Sequence, residues 1–434
     1  MTIFGVSGVA GNIGVDITPE VAMSVGRAIG LRYSDVVLSR DANDGGSMLT
    51  NAVAAGICSV GSDVTDIGIC PVPTSVRAVA KNGCLITVTA PIGSSGYRWI
   101  RFSGQDGSSF PPGTMEDIRG IIDDRAKAPY VRHDSVGSVS REGIPAAAHM
   151  KDIADSVGGL DCPVIIDCAS DSTSLVTPLL FAGMGASVTA MNSVIGKGLT
   201  GISRGLNEYD LRNLIKHVRS EPGSIGIAHD GSGSRVAVID ESGRSLSGNV
   251  LMTLLASYLK MDSIAVTMNT TMAIGDVVKG RIVRTARGDD HLADAMKKNN
   301  IPFGGEPSGT FIFGNKSFCS DGIYAAALVA KIASEGSLRH AVDEIPTYPY
   351  GNADIKFAGD REDIAKRLSD RMSSADCDAL VTDDGWRAEL SDGWYHIRVS
   401  DFENKVRITA EARDKVYMNC LMDIAEDLVS SCIR

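Results

Sequence analysis

Four short stretches of this sequence hold residue types that could do chemistry. In Thr89–Phe102 the hydroxyls of Ser94 and Ser95 lie between Gly93 and Gly96. Pro91, just before them, has no hydroxyl and cannot act as a nucleophile. Small, polar and flanked by glycines, these residues read first as a turn. In Asp230-Gly-Ser-Gly-Ser-Arg235 one carboxylate, Asp230, is followed by the neutral Ser232 and Ser234, and the glycines suit a hairpin turn. Gly304-Gly-Glu-Pro-Ser-Gly309 places Glu306 and Ser308 among glycines. A Gly-rich turn explains the glycines but not the carboxylate and hydroxyl between them. Near the C-terminus Arg398, Ser400 and Arg407 bring two guanidinium groups and a hydroxyl into ten residues.

The elements that must position these groups are legible in the apolar pattern. Asp35–Arg40 reads as a buried strand. The stretch 47–60 reads as a helix with apolar Met48, Leu49, Val53 and Ile57, and 63–67 reads as a strand again. Strand, helix, strand implies a βαβ unit and a covered, largely parallel sheet. The pattern recurs in strand 162–168, helix 174–183 and strand 186–190. Strands 225–230 and 235–240 then flank the Asp230 turn, and a third round runs from Val250 to about Glu335. After the proline-bearing hinge Ile345–Gly351 the tail changes character. Residues 393–400 and 404–412 alternate with period two, as half-solvated antiparallel strands do, and 414–433 reads as a helix with Val416, Cys420, Ile424 and Leu428 on its apolar stripe. The expected fold is α/β, with domains at 1–150, 151–247 and 248–345 and a smaller α+β domain at 346–434.

Composition narrows the function classes. With 434 residues, 44% hydrophobic and 22% charged, the chain is ordinary for a globular protein of several domains. A formal charge of −11, with Lys and Arg scattered, argues against a nucleic-acid or anionic-membrane surface. No apolar run approaches a bilayer span, and the early Asp16 and Glu20 do not fit a signal peptide. A cytoplasmic setting is expected. The nine cysteines form no C-x-x-C pair and read as reduced packing residues, and the seven histidines show no metal spacing.

Several motifs in order resemble the α-D-phosphohexomutases, the family of phosphoglucomutase, phosphomannomutase and phosphoglucosamine mutase. Phe4-Gly-Val-Ser-Gly-Val-Ala-Gly11 is similar to the family's F-G-T-S-G-I-R-G, Arg40-Asp41 to the start of R-D-T-R, and Gly68–Thr74 to G-I-A-P-T-P-T. Thr89, Ala90, Tyr97, Ile100 and Phe102 match its phosphoserine loop without a gap. The resemblance covers essentially the whole chain. It implies three α/β domains with mixed sheets and a C-terminal α+β domain of TBP-like type.

Set against that resemblance, the residues of phosphoryl transfer are replaced together. Pro91 stands at the phosphoserine position. Ser232 and Ser234 replace two of the three aspartates that hold Mg2+ in the family, leaving Asp230, and one anionic ligand is a poor set for that ion. Arg101 takes the place of an acid–base lysine, and a guanidinium is a poor proton shuttle. Arg398, Ser400 and Arg407 persist from the distal phosphate clamp, but Asp401 and Phe402 interrupt it, while Glu306 and Ser308 stand where the family contacts sugar hydroxyls. The main expectation is a pseudoenzyme without mutase activity or a resident cofactor. It would bind a sugar or sugar-phosphate-like ligand, or a protein partner as a homodimer or beside an active relative. The alternative is an active intramolecular phosphotransferase that uses Mg2+, with Ser94 or Ser95 as carrier, or a different reaction in the same cleft.

Overall fold

Thr18 begins the first long helix for a local reason: its side-chain oxygen accepts the Val21 N–H and Pro19 occupies the first turn of Pro19–Gly30. The computed structural model describes residues 3–5, 7–90, 96–124, 128–196, 206–400 and 403–433. These divide into two compact units, one built from Met1–Leu251 with Ser308–Val342, the other from Met252–Pro307 with Asp343–Arg434.

The first unit holds two sheets. The larger has seven strands in the order Ile3–Gly5, Gly8–Asn12, Tyr97–Gly104, Cys84–Thr89, Asp35–Arg40, Asp63–Ile69, Val139–Arg141. Asp35–Arg40 runs parallel to both of its neighbours, so Asp41 leaves at the C-terminal edge of the sheet. Helix Gly46–Cys58 packs on helix Pro19–Gly30 at backbone contact. A Cβ on Gly26 would lie 2.1 Å from the Val53 carbonyl oxygen, and one on Gly56 2.1 Å from that of Met23. Leu49, Val53 and Ile57 are buried as expected, but Met48 is exposed.

The smaller sheet runs Ser245–Leu246, Val236–Ile239, Ile225–His229, Pro163–Asp167, Ser187–Met191. Pro163–Asp167 is parallel to both flanking strands, and its two parallel successors lie on opposite sides of it. Such a reversal of direction leaves a crevice at the strands' C-terminal ends. Asp171 and Asp230 follow those ends. The expected helix 174–183 is instead a 3-10 turn, Ser172–Leu175, followed by helix Thr177–Gly183, with Pro178 in its first turn.

In the second unit, Ser263–Thr267 lies parallel to Arg281–Thr285 and to Phe303–Glu306. A five-stranded sheet, all antiparallel, runs Tyr350–Lys356, Lys405–Ala412, Gly393–Val399, Trp386–Leu390, Ala379–Val381, with helices Arg361–Met372 and Lys415–Ile433 contributing to its core. Two tail readings need correction. Gly393–Val399 is not half-solvated: Trp394, Tyr395, His396 and Ile397 are all buried. The second face is covered because Glu411 accepts from Thr271 Oγ1 (2.5 Å), Met272 N (2.5 Å) and Trp394 Nε1 (2.9 Å), while the fully buried Arg387 donates to the carbonyls of Met268 and Thr270 and stacks 3.7 Å over the Trp394 ring. The stripe of the last helix is also reassigned. Met418, Leu421, Ala425, Val429 and Cys432 face the core, whereas Val416, Cys420 and Ile424 are exposed and Leu428 is half-buried.

Among the described residues, no helix is long and apolar enough to cross a membrane. None of the nine cysteines is in a disulfide, and seven are buried.

Candidate functional site

Pro91, Ser94 and Ser95 lie outside the described residues, as does Asp401. Their flanks are defined. The Ala90 N–H donates to Asp41 Oδ2 at 2.6 Å, and the Asn43 N–H to Asp41 Oδ1 at 3.0 Å. Arg98 is buried and donates to the Asp44 carbonyl from Nε (3.1 Å) and Nη2 (2.7 Å), tying strand Tyr97–Gly104 to the segment after Asp41. Arg101 lies on strand Tyr97–Gly104 with its guanidinium 5.5 Å from the Trp99 ring centroid.

The turn after strand Ile225–His229 uses its carboxylate internally. Ser232 Oγ donates to Asp230 Oδ2 at 2.8 Å and the Arg235 N–H to Oδ1 at 3.1 Å, while the Ser234 N–H reaches Ser232 Oγ at 3.3 Å. Both Asp230 oxygens thus serve the hairpin. One carboxylate and two hydroxyls do not match the anionic oxygen set that Mg2+ prefers, and no group of three or more His, Cys, Asp or Glu side chains suited to a metal occurs among the described residues.

A residue missed in the sequence joins this turn to the Asp41 loop. Asp171 Oδ1 accepts the N–H groups of Ala42 and Ser172, both at 2.7 Å, and Oδ2 accepts from Asn43 Nδ2 at 3.0 Å. A Cβ on Gly231 would come within 2.4 Å of Asp171 Oδ2, so the carboxylate occupies the space over that glycine. Burial first, then the charge of Asp41, pushes the Asp171 carboxyl up to about 7, with Asp230 adding to the rise against the backbone hydrogen bonds. Burial also raises Asp41, although the Ala90 and Asn43 N–H groups and Arg98 oppose it. Nothing in local sequence marks this role of Asp171, because Ala42 and Asn43, its partners in the Asp41 loop, are more than a hundred positions away.

The same unit contains a second unforeseen cluster, Thr74–His149–Asp321. His149 Nδ1 lies 2.9 Å from Thr74 Oγ1 and Nε2 2.9 Å from Asp321 Oδ2, all three residues being buried. Asp321 also caps helix Gly322–Glu335 through the N–H groups of Ile323 and Tyr324. With no solvent access, this relay is a structural tie.

The second unit brings Arg398 and Arg407 to one cavity of about 520 Å³, which Arg287, His396, Asn269 and Asn352 also line. Arg398 Nε donates to Asp384 Oδ1 at 2.6 Å, and Arg407 Nη2 to Glu403 Oε2 at 2.9 Å. His396 Nε2 lies 2.6 Å from the Asp384 carbonyl, which can only accept, so that nitrogen carries the proton. Burial pushes its pKa down to about 4, which keeps the ring neutral. Ser400 does not line the cavity: its N–H donates to the Lys405 carbonyl (2.9 Å) and its Oγ accepts the Glu403 N–H (3.3 Å). Glu306, in this unit, accepts the Gly288 N–H at 2.7 Å. Ser308 belongs to the first unit, where its Oγ lies 3.1 Å from Thr310 Oγ1.

Comparison with known proteins places this geometry in a family. The phosphoglucomutase/phosphomannomutase alpha/beta/alpha domain I model matches residues 1–129, and the domain III model matches residues 247–348. The chain is 33% identical to a probable phosphoglucosamine mutase of Methanosarcina barkeri over 439 positions, covering all of both chains. It is 30% identical to phosphoglucosamine mutase of Methanococcus aeolicus, over 99% of this chain and 98% of the relative. A phosphoglucomutase/phosphomannomutase family protein from Burkholderia thailandensis superposes with a TM-score of 0.86 at 21% identity, over 99% of this chain and 97% of that one. A putative phosphomannomutase from Thermus thermophilus gives 0.80 at 19%, over 99% of both. The structural likenesses speak for the fold; the end-to-end sequence identity goes further, and by it the chain belongs to the phosphoglucomutase/phosphomannomutase family of α-D-phosphohexomutases.

Proposed function

We propose that the protein works on a hexose phosphate as an intramolecular phosphotransferase, with its phosphoryl carrier displaced from position 91. The observation that carries this reading is the end-to-end match to a probable phosphoglucosamine mutase, at 33% identity across all of both chains. The arginine-lined cavity supports it, since a polar pocket of about 520 Å³ suits a hydroxylated anion. The carrier must be a hydroxyl, and Ser94 and Ser95 are the hydroxyls within the matching loop. The turn at Asp230 does not fit the family's divalent ion, so charge neutralisation falls to guanidinium groups such as Arg101 and Arg235.

A second reading is binding without turnover, as a cytoplasmic pseudoenzyme alone or beside an active relative. The closed Asp230 turn and Pro91 favour it. One experiment separates the two. The protein is incubated with glucose 1,6-bisphosphate, with and without Mg2+, and its intact mass is followed by peptide mapping. Interconversion of glucosamine 6-phosphate and glucosamine 1-phosphate is then assayed. Phosphate on Ser94 or Ser95 together with turnover supports the first reading. An unmodified protein that binds the sugar phosphate without converting it supports the second.

A further inference from the structure

Of the three guanidinium groups in the cavity of the second unit, two are already committed to carboxylates. Arg398 is paired with Asp384 and Arg407 with Glu403. Beside them Lys405 pairs with Asp354 at 2.8 Å and shares Glu403 with Arg407, at 2.9 Å. The Arg287 guanidinium has no hydrogen-bond or ion-pair partner among the described residues, although Arg287 lines the same cavity. Its backbone, by contrast, is held firmly. The Arg287 N–H donates to Asp384 Oδ2 at 3.1 Å and the next N–H, that of Gly288, to Glu306 Oε1 at 2.7 Å. Gly288 has φ +123°, a backbone conformation that side-chain-bearing residues rarely adopt, so the turn that presents Arg287 depends on glycine.

The residue as a whole is exposed, yet its charged end sits among the cavity walls. That enclosure first, and the like charge of Arg398 next, lower its pKa. A guanidinium nonetheless stays protonated at neutral pH; Glu306 and Asp384 act on it through space, but neither pairs with it, so the cavity presents one positive fork whose N–H donors are not taken by a carboxylate. Around it, Asn269 and Asn352 accept hydroxyl hydrogens from Thr267 and Thr409 on their carbonyl oxygens, which leaves their amide NH2 groups to donate. His396, protonated on Nε2, keeps Nδ1 as an acceptor.

We propose that the anion grip of this cavity has passed from Arg398 and Arg407 to Arg287, and that Arg287 holds the phosphate of a hydroxylated phosphomonoester. The proposal rests on the hexose-phosphate reading for the hydroxylated part of the ligand, and on the cavity alone for the anion. The fork geometry of a guanidinium suits two phosphate oxygens at once. The amides and the neutral imidazole supply donors and an acceptor for sugar hydroxyls.

The test is calorimetric titration of the full chain and its Arg287→Gln and Arg287→Lys variants with inorganic phosphate, glucosamine 6-phosphate and glucosamine. Arg287→Gln is expected to weaken both phosphate-bearing probes by roughly tenfold or more, about 1.4 kcal/mol. Arg287→Lys should recover part of that, and the melting temperature should not move, because the side chain has no partner to lose. Binding of phosphate by Arg287→Gln within about twofold of the parent would overturn the proposal, and so would a parent chain that binds neither phosphate probe. A parent that binds inorganic phosphate through Arg287, but glucosamine 6-phosphate no more tightly, supports the grip while counting against the hexose-phosphate reading.

Discussion

Asp384 and Arg398 meet at 2.6 Å through Oδ1 and Nε, and the other oxygen of the same carboxylate accepts the Arg287 N–H at 3.1 Å. One side chain therefore neutralises one cavity arginine and orients the loop of another. Its backbone carbonyl also fixes the His396 tautomer. The sequence motif around Arg398 gives no hint of this, because Asp384 lies on the turn before strand Trp386–Leu390 and reaches its partners only once the antiparallel sheet has formed.

Replacing Asp384 by Asn should therefore affect stability and binding together. The pair is largely buried, with side-chain exposures of 16% and 14%, so breaking it leaves a desolvated cation. A loss of about 2 kcal/mol is expected, together with weaker phosphate binding from a loosened Arg287 loop. Urea denaturation and phosphate titration of Asp384→Asn check both. Unchanged stability would show that the pair is solvated in solution.

Asp171 sets a pH dependence whose sign can be worked out. Its folded pKa, about 7, lies above the unfolded value near 4. Between these values the folded chain holds a proton that the unfolded chain has released, so stability falls as pH rises through this window. Asp171→Asn removes the titration and keeps an oxygen for the Ala42 and Ser172 N–H groups. The variant should gain on the parent by on the order of 2–4 kcal/mol at pH 8 relative to pH 5, measured by urea unfolding at the two pH values. A gain at pH 5 instead would mean that the carboxylate is charged and stabilising.

The Thr74–His149–Asp321 tie predicts the opposite slope at lower pH. Burial pushes the Asp321 carboxyl up, but the charge and hydrogen bond of His149 and the Tyr324 N–H more than offset it, so its pKa is depressed. Its stabilising contribution is present above the unfolded pKa, near 4, and is lost as pH falls through the lower folded value. His149→Ala leaves a cavity and two buried polar groups unpaired, at a cost of about 3 kcal/mol at pH 7. Thermal melts from pH 7 to pH 3 should show the gap between parent and Asp321→Asn closing as acid is added.

What the sequence revealed depends on how local the information is. The βαβ order, the Asp230 hairpin and the antiparallel tail are written in periodicity and glycine placement within a few residues, and the structure has them. The motifs in their order carry the family. The fused acid cluster was not legible, because Asp41, Asp171 and Asp230 stand on three different strand ends and only the sheet topology gathers them. The cavity was half legible: Arg398 and Arg407 were visible by motif, but their neutralisation by Asp384 and Glu403, and hence the distinct standing of Arg287, follows from the folded loops alone. The face of the last helix was misjudged for another reason. Val416, Cys420, Ile424 and Leu428 follow a spacing of four, while Met418, Leu421, Ala425, Val429 and Cys432 follow three and four, and both are apolar. Periodicity cannot choose between two such stripes; packing against the sheet does.

That choice gives the final prediction. Leu421, Ala425 and Val429 are fully buried in the core formed with Ile397, Val406 and Ile408, whereas Val416 is 81% and Ile424 42% exposed. Leu421→Ala removes packed methyl groups and should cost about 2–5 kcal/mol. Val416→Asp and Ile424→Lys lie on the outer face, where a polar side chain stays hydrated, and each should change stability by no more than about 0.5 kcal/mol in an isolated chain. Urea midpoints for the three variants test the assignment. A large loss from Val416→Asp or Ile424→Lys at high dilution would restore the stripe first read from the sequence. A loss that appears only at high protein concentration would instead show that this face is covered by a second copy of the chain.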